Sequence, residues 1–321
     1  MKETLLTKKK IVNTNLSSNK RNCPTCNSSY KNAKIFLEEN YDSKKINKYT
    51  YASRKNPEFM CYELVECNVC DLVYANSPPS VEQLSDLYHE AEFDSNDEAN
   101  AAAKSYINSL EEILKQLNKK EIVIDIGTGT GILLDKFKER GFKKVIGVEP
   151  SKPPINHAPE YRKKWIIHDI FRKSYFEKNS IDLIFCAMTM EHVRDPKEIA
   201  LDAYELLSSG GAIAFVVHDR RSLVNRILGK KSPIIDLEHL QIFSKKSMFE
   251  LLDRCGFDNI KIKSFKNTYP LKYWVRLTPL PNFLKDTIIK ILKFLFIDNL
   301  KISINVGNML ACGFKVSKNN K

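Results

Sequence analysis

Asp125, Gly127, Gly129 and Gly131 stand at alternate positions in IVIDIGTGTGILL, residues 122–134. An apolar run carrying one acid, then three glycines spaced by threonines, suits a strand that turns sharply into a helix. Glycine removes the Cβ, so a ligand can approach the backbone closely. Glu149 ends the next apolar run, VIGVEPS, 24 residues after Asp125, where a carboxylate can accept hydrogen bonds from two ribose hydroxyls. A second kind of chemistry lies upstream, in CPTC at 23–26 and CNVC at 67–70. Each C-x-x-C turns two thiolates toward one centre, and Cys23, Cys26, Cys67 and Cys70 together can complete a tetrahedral zinc site. Cys61 is a less favoured substitute, and neither pair opens a helix as a redox motif would.

Two familiar ligands fail the glycine spacing. A dinucleotide loop, G-x-G-x-x-G, needs glycine at 132, where Ile132 stands, and no G-K-[ST] follows to make a phosphate loop. D-x-G-x-G-x-G instead resembles motif I of the class I S-adenosylmethionine (SAM) dependent methyltransferases. FCAMTMEHVRDP and LLSSGGAIAFVV resemble that family's fourth-strand region and the Gly-Gly turn that follows it. The resemblance covers residues 121–265 and a final strand near 308–318. It implies that Asp125 holds the ammonium end of SAM and that Gly127, Thr128, Gly129 and Gly131 border its amino-acid moiety. It further implies Glu149 at the ribose, and Asp169, Ile170 and Ala187 around the adenine side of the pocket. The pattern C-P-x-C … Y-x-L-x-x-C-x-x-C-x-L-x-Y resembles the zinc-binding domain of sugar C-methyltransferases and of related bacterial enzymes of surface-polysaccharide and secondary-metabolite clusters. The long sugar enzymes carry a further C-terminal domain that is not expected here, so their C-methylation of a nucleotide-linked keto sugar is not carried over. Cys186, Cys255 and Cys312 sit in apolar patterns and are expected as packing residues.

Methyl transfer from a sulfonium is an in-line displacement, and a hydroxyl or carbon nucleophile must also lose a proton. His239, in DLEHLQIFSKKSMFELL, is the first candidate base and His218, at the end of the fifth strand, the second. His192, in MEHVRDP, reads as a packing histidine near the SAM pocket. An amine acceptor would need no strong base.

These groups require a scaffold, and the texture of the chain supplies one. From residue 121 strands alternate with helices, which predicts an α/β, Rossmann-like class I methyltransferase fold: a seven-stranded, mostly parallel sheet with helices on both faces. The expected organisation is a flexible basic leader at 1–20, a zinc-binding unit at 21–78 and a helical connector at 79–118. The methyltransferase domain then runs over 119–321, with insertions at about 219–245 and 271–303. The helix PKEIALDAYELLSSGG is expected to stop at its glycines.

At 321 residues and 43% hydrophobic content the chain can bury one large core, which excludes wholesale disorder. The formal charge of +12 is compatible with anionic partners, but aromatics do not interleave with Lys and Arg in a nucleic-acid module. Neither a signal peptide nor an uninterrupted membrane span is visible, so a soluble, cytoplasmic protein is expected. The favoured function is methylation of a small-molecule acceptor, of sugar or nucleotide-sugar type. An RNA or protein methyltransferase and a non-catalytic SAM-fold module stand as alternatives. The apolar segment 280–300, with Lys285, Lys290 and Lys293, is expected to dock on its own domain or a second subunit in preference to a membrane. The oligomeric state stays open.

Overall fold

The computed structural model describes residues 20–316 apart from 43, 45–49, 52–58, 91–96 and 279, so almost all of the expected leader lies outside the described residues. The strands in chain order are β1 (Ala33–Leu37), β2 (Leu64–Cys67), β3 (Val73–Ala75), β4 (Ile122–Ile126), β5 (Lys144–Val148), β6 (Ile166–Ile167), β7 (Ile181–Ala187), β8 (Leu207–His218), β9 (Gln241–Ile242), β10 (Asp258–Ser264), β11 (Asn267–Pro270), β12 (Lys301–Ile304) and β13 (Asn308–Phe314).

Seven of them form the main sheet in the order β10-β13-β8-β7-β4-β5-β6. The contacts from β8 through β7, β4 and β5 to β6 are parallel, and β13 runs antiparallel between β8 and β10. This is the expected seven-stranded, mostly parallel sheet. β4, β7 and β8 are buried along nearly their whole length, as a sheet covered on both faces requires. On one face the helices Asp97–Leu114 and Ile132–Glu139 bury Ile107, Leu110, Leu134 and Phe137. On the other, Pro196–Leu206 and Lys245–Arg254 bury Ala203, Leu206, Leu251 and Leu252.

The expected glycine stop falls elsewhere. The helix ends at Leu206, and Ser208 to Gly211 already belong to β8. Gly210 has φ +81°, and a Cβ on Gly211 would lie 2.9 Å from two carbonyl oxygens, beside the register shift between β7 and β8. The glycines serve a bulge.

The cysteine unit does not stand apart from this core. β1, β2 and β3 make a small antiparallel sheet completed by β9, a strand from the segment between the fifth and sixth strands of the main sheet. Arg21 rivets the junction: its guanidinium donates to the carbonyls of Ala75, Arg194 and Leu240 and lies over the Tyr74 ring. Arg220 and Arg221 bind Glu66 and Asp71 beside the second Cys pair.

The insertion after β10 forms a β11-β12 ribbon and the helices Leu271–Leu277 and Asn282–Phe294. The second helix is present as expected: it lies against the helix Leu271–Leu277 with Ile288, Ile289 and Leu292 half-buried, and none of its residues is fully buried. No helix among the described residues is long and apolar enough to cross a membrane.

Candidate active site

Parallel sheets bind ligands beyond the carboxyl ends of their strands, where the strand order reverses. Here that edge holds the glycine turn between β4 and the helix Ile132–Glu139. Gly127, Gly129 and Gly131 all have positive φ, at 73°, 59° and 71°. Their surroundings differ. A Cβ on Gly127 would lie 2.1 Å from Thr189 Oγ1, whereas one on Gly129 would meet nothing within 4 Å. Gly127 makes room for a neighbour, and Gly129 opens onto space.

The turn is braced from below and from the side. Thr128 donates its hydroxyl to Asp125 Oδ2 at 2.7 Å, and its side chain packs where a Cβ on Gly147 would sit. Asp125 is only 1% exposed, and burial pushes its carboxyl up to about 7, against the Thr128 hydrogen bond and with help from the Glu149 charge. Glu149 accepts from Gly129 N at 2.8 Å with one oxygen and from Ser151 N at 2.8 Å with the other. Burial raises its pKa while those two N–H groups oppose the shift.

A cavity of about 2360 Å³ opens over this turn. That exceeds the roughly 300–1,000 Å³ of a one-ligand site, so a cofactor and an acceptor fit together. Gly127, Thr128, Gly129, Glu149, Ile170 and Ala187 line it. Asp125, Gly131 and Asp169 do not. Asp125 lies beneath the turn, Gly131 packs near Ile166 and Leu134, and Asp169 faces Tyr175 and Arg172. Met188, a wall residue at the end of β7, takes a strained φ of +51°, pinned by a 2.7 Å bond from its N–H to Val216 O.

Three histidines converge on the opposite wall. His239 lies 4.8 Å from His192 and 5.8 Å from His218, ring centre to ring centre. His218 Nδ1 is 3.2 Å from Glu191 Oε1, which also accepts the His218 backbone N–H at 2.8 Å. Glu191 is buried. Burial works against its charge, but the His218 bond and the nearby imidazoles prevail and hold its pKa below the usual carboxylate value. A carboxylate that holds Nδ1–H leaves the Nε2 lone pair as the basic atom, the arrangement of an oriented general base. His239 donates through Nδ1 to Ile234 O at 2.9 Å, and His192 to Glu238 O at 3.1 Å. His192, Glu238 and His239 also bring one ligand atom each within 4.8 Å of one another, a donor set that a divalent ion could draw together.

Several residues of this wall carry no signal in the sequence. Glu191 is one acid among 39. Tyr88 reaches in from the helix Val81–Glu90, edge-on to His192, with its hydroxyl buried and without a hydrogen-bond partner among the described residues. Asn267 and Asn308 line the cavity in the same state, each with a buried, unpartnered Oδ1. Tyr273 and Trp274 add aromatic faces.

The four cysteines of the N-terminal unit meet at one point. Cys23 and Cys70 Sγ are 3.5 Å apart, Cys26 and Cys67 3.6 Å, and all four sulfurs lie within 4.8 Å of one another. Tetrahedral Zn–S bonds of about 2.3 Å place sulfurs about 3.8 Å apart, so the donor set fits zinc. All four are buried. The hydrogen bond from Cys70 pulls the Cys23 thiol down to about 6, while burial pushes Cys26 up to about 11 and the Cys23 thiolate holds Cys70 protonated. Cys61 stands outside the cluster with its Sγ toward Glu38 O, and Cys186, Cys255 and Cys312 are buried in the core.

Residues 98–262, just over half of the chain, match the family model described as a methyltransferase domain. The chain belongs to this methyltransferase family. It is a SAM-dependent methyltransferase with a Rossmann-like fold, whose expected cofactor agrees with the turn described above. Among curated proteins it is similar to a ubiquinone biosynthesis O-methyltransferase of Aliivibrio fischeri, 26% identical over 167 residues, 46% of this chain and 71% of that one. It is also similar to a tRNA U34 carboxymethyltransferase of Helicobacter pylori, 27% identical over 161 residues, 47% of this chain and 62% of that one. The chain thus spans less than two thirds of the tRNA enzyme. Among solved structures it is similar to a SAM-dependent methyltransferase of Thermotoga maritima, described as a possible histamine N-methyltransferase. That match has a TM-score of 0.43 at 20% identity over 66% of this chain and 90% of the other. A SAM complex of Haemonchus contortus phosphoethanolamine N-methyltransferase 2 aligns at TM-score 0.44 and 15% identity, over 76% of this chain and 62% of the other.

Proposed function

We propose that this methyltransferase acts on a hydroxyl of a small, polyhydroxylated acceptor of the sugar type, with His218 as the proton acceptor. The observation that carries this reading is that His218, bonded to the buried Glu191, lines the same cavity as the glycine turn. SAM, when bound, supplies a methyl group on a sulfonium. Gly127, Thr128, Gly129 and Glu149 would hold it, and Asp125 supports the turn from below through Thr128.

The acceptor side argues for hydroxyl groups. Asn267 and Asn308 present buried amide oxygens that need donors, and Tyr88 presents a phenol that can give or take one hydrogen bond. Tyr273 and Trp274 offer flat apolar faces beside them. Glu191 fixes the His218 ring, so its Nε2 can take the hydroxyl proton as the oxygen becomes a nucleophile. His239 replaces neither partner in this role, although it lies close enough to orient the acceptor. The cysteine unit, we further propose, holds a structural zinc that keeps β3 in register with β9. The finding that a similar protein is named for tRNA leaves a macromolecular acceptor as the rival outcome.

The test is mass spectrometry of nucleotide-sugar and sugar pools incubated with protein and SAM, beside total tRNA under the same conditions. A one-methyl gain on a sugar, lost in His218→Ala, is expected. Methyl incorporation into tRNA alone would replace the proposal.

A further inference from the structure

The largest feature left unexplained is an apolar surface with nothing over it. In the helix Asn282–Phe294 no residue is buried, and the turn that follows continues the same character. Phe283 is 68% exposed, Phe294 81% and Phe296 93%, while Leu223 and Ile227, on the short helix Leu223–Leu228, are 72% and 74% exposed. A monomer rarely leaves so much aromatic and aliphatic surface in water without a use.

Two observations select the occupant. The first is charge. Between residues 271 and 304 six basic side chains (Lys272, Arg276, Lys285, Lys290, Lys293 and Lys301) face two acids, Asp286 and Asp298, and the segment 223–231 adds Arg226, Lys230 and Lys231 with no acid. A second copy of the chain laid on this face would oppose cations with cations. An anionic bilayer would complement them. The helix has 13 residues, too short to span a bilayer and suited to lie flat in its interface. The second observation is continuity. Leu277, Leu280 and Lys285 line the same cavity as His218, as do Leu228 and Lys231, so the cavity reaches this apolar, basic face.

We infer that the face formed by 223–231 and 280–300 docks on an anionic membrane, with the cavity toward it, so that the acceptor is an amphiphile: a hydroxylated head on a lipid tail. The inference deepens the proposed function and rests on that reading of the cavity. The bilayer keeps the tail while the head reaches Asn267, Asn308 and His218.

The test uses the full chain in sedimentation with vesicles of phosphatidylcholine alone and of phosphatidylcholine with phosphatidylglycerol. Binding to the anionic vesicles, weakened by salt, is expected. The double variant Phe294→Ser, Phe296→Ser should lose at least about tenfold in binding, because both rings leave the apolar interface. Its affinity for SAM should be unchanged, which keeps a failed cofactor site distinguishable from a failed membrane site. In a second arm, methyl-labelled SAM and vesicles of total membrane lipid should send label into the organic phase. Protein that stays in the supernatant overturns the docking surface. So does a wild-type dimer that the double variant converts to monomer, because a second copy then covers the face. Label confined to the aqueous phase, with vesicle binding intact, overturns the lipid-tailed acceptor.

Discussion

Gly127 and Gly129 are two residues apart in the same turn, and replacing each with alanine should fail in different ways. Both have left-handed φ, at 73° and 59°, so any L-residue there costs about 1–2 kcal/mol of stability. Gly129→Ala should cost little more than that, since its Cβ meets no atom within 4 Å. Gly127→Ala drives a methyl to 2.1 Å from Thr189 Oγ1 and 2.9 Å from its Cγ2. Overpacking of that kind adds about 1–3 kcal/mol, for a total of about 2–5 kcal/mol. Thr189→Ala removes both clashing atoms, so the double variant should recover about 1–2 kcal/mol as a favourable coupling. Ligand affinity should run the other way. The Gly129 methyl projects into the space over the turn, so a folded Gly129→Ala protein should bind SAM at least about tenfold more weakly, a loss of about 1.4 kcal/mol. Urea denaturation gives the first quantity and SAM titration calorimetry the second. A Gly129→Ala protein that binds SAM within twofold of wild type would refute the turn as the cofactor cradle. Equal stability of the two single variants would refute the steric assignment.

Other outcomes follow from the same geometry. One equivalent of zinc per chain is expected by elemental analysis, and Cys67→Ser should lose the metal and several kcal/mol of stability, because the knuckle adjoins the β3–β9 pairing. His218→Ala should lower kcat by about 10²–10⁴, and Glu191→Gln should lower it while moving the acid limb of the pH–rate profile. For Asp125 the folded-state value of about 7 lies above its ordinary 3.8. Between those values the folded protein keeps a proton that the unfolded chain has released. Stability from this group is therefore greatest below about pH 4 and falls by up to about 4 kcal/mol as pH rises through 7. Urea titrations of Asp125→Asn across that range should show the slope flattened.

Much of the scaffold was readable because parallel strands buried on both faces are written as continuous apolar runs, and β4, β5, β7 and β8 are such runs. The glycine turn was readable for a related reason: positive φ and close approach both demand glycine, which leaves a spacing signature. The wall of histidines was readable only in part. His239 and His218 stood out as candidate bases, whereas Glu191, Tyr88, Asn267 and Asn308 come from separate elements that only the topology assembles, and none of these four has a local pattern to mark it. The two-residue strand β9 is too short to carry periodicity, so its addition to the cysteine sheet is visible only in three dimensions. Gly210 and Gly211 look like a helix stop in sequence and are a bulge in structure, since both uses draw on the same conformational freedom. The helix Asn282–Phe294 was visible as part of an apolar segment, but apolar residues alone do not say what covers them.

The measurement that reaches the centre of this account is calorimetric titration of the full chain with S-adenosylhomocysteine. One site per chain is predicted, weakened at least about tenfold in Glu149→Ala through loss of the carboxylate held at Gly129 N and Ser151 N. A chain that gives no heat with this ligand, or that binds a nicotinamide dinucleotide in its place, would contradict it.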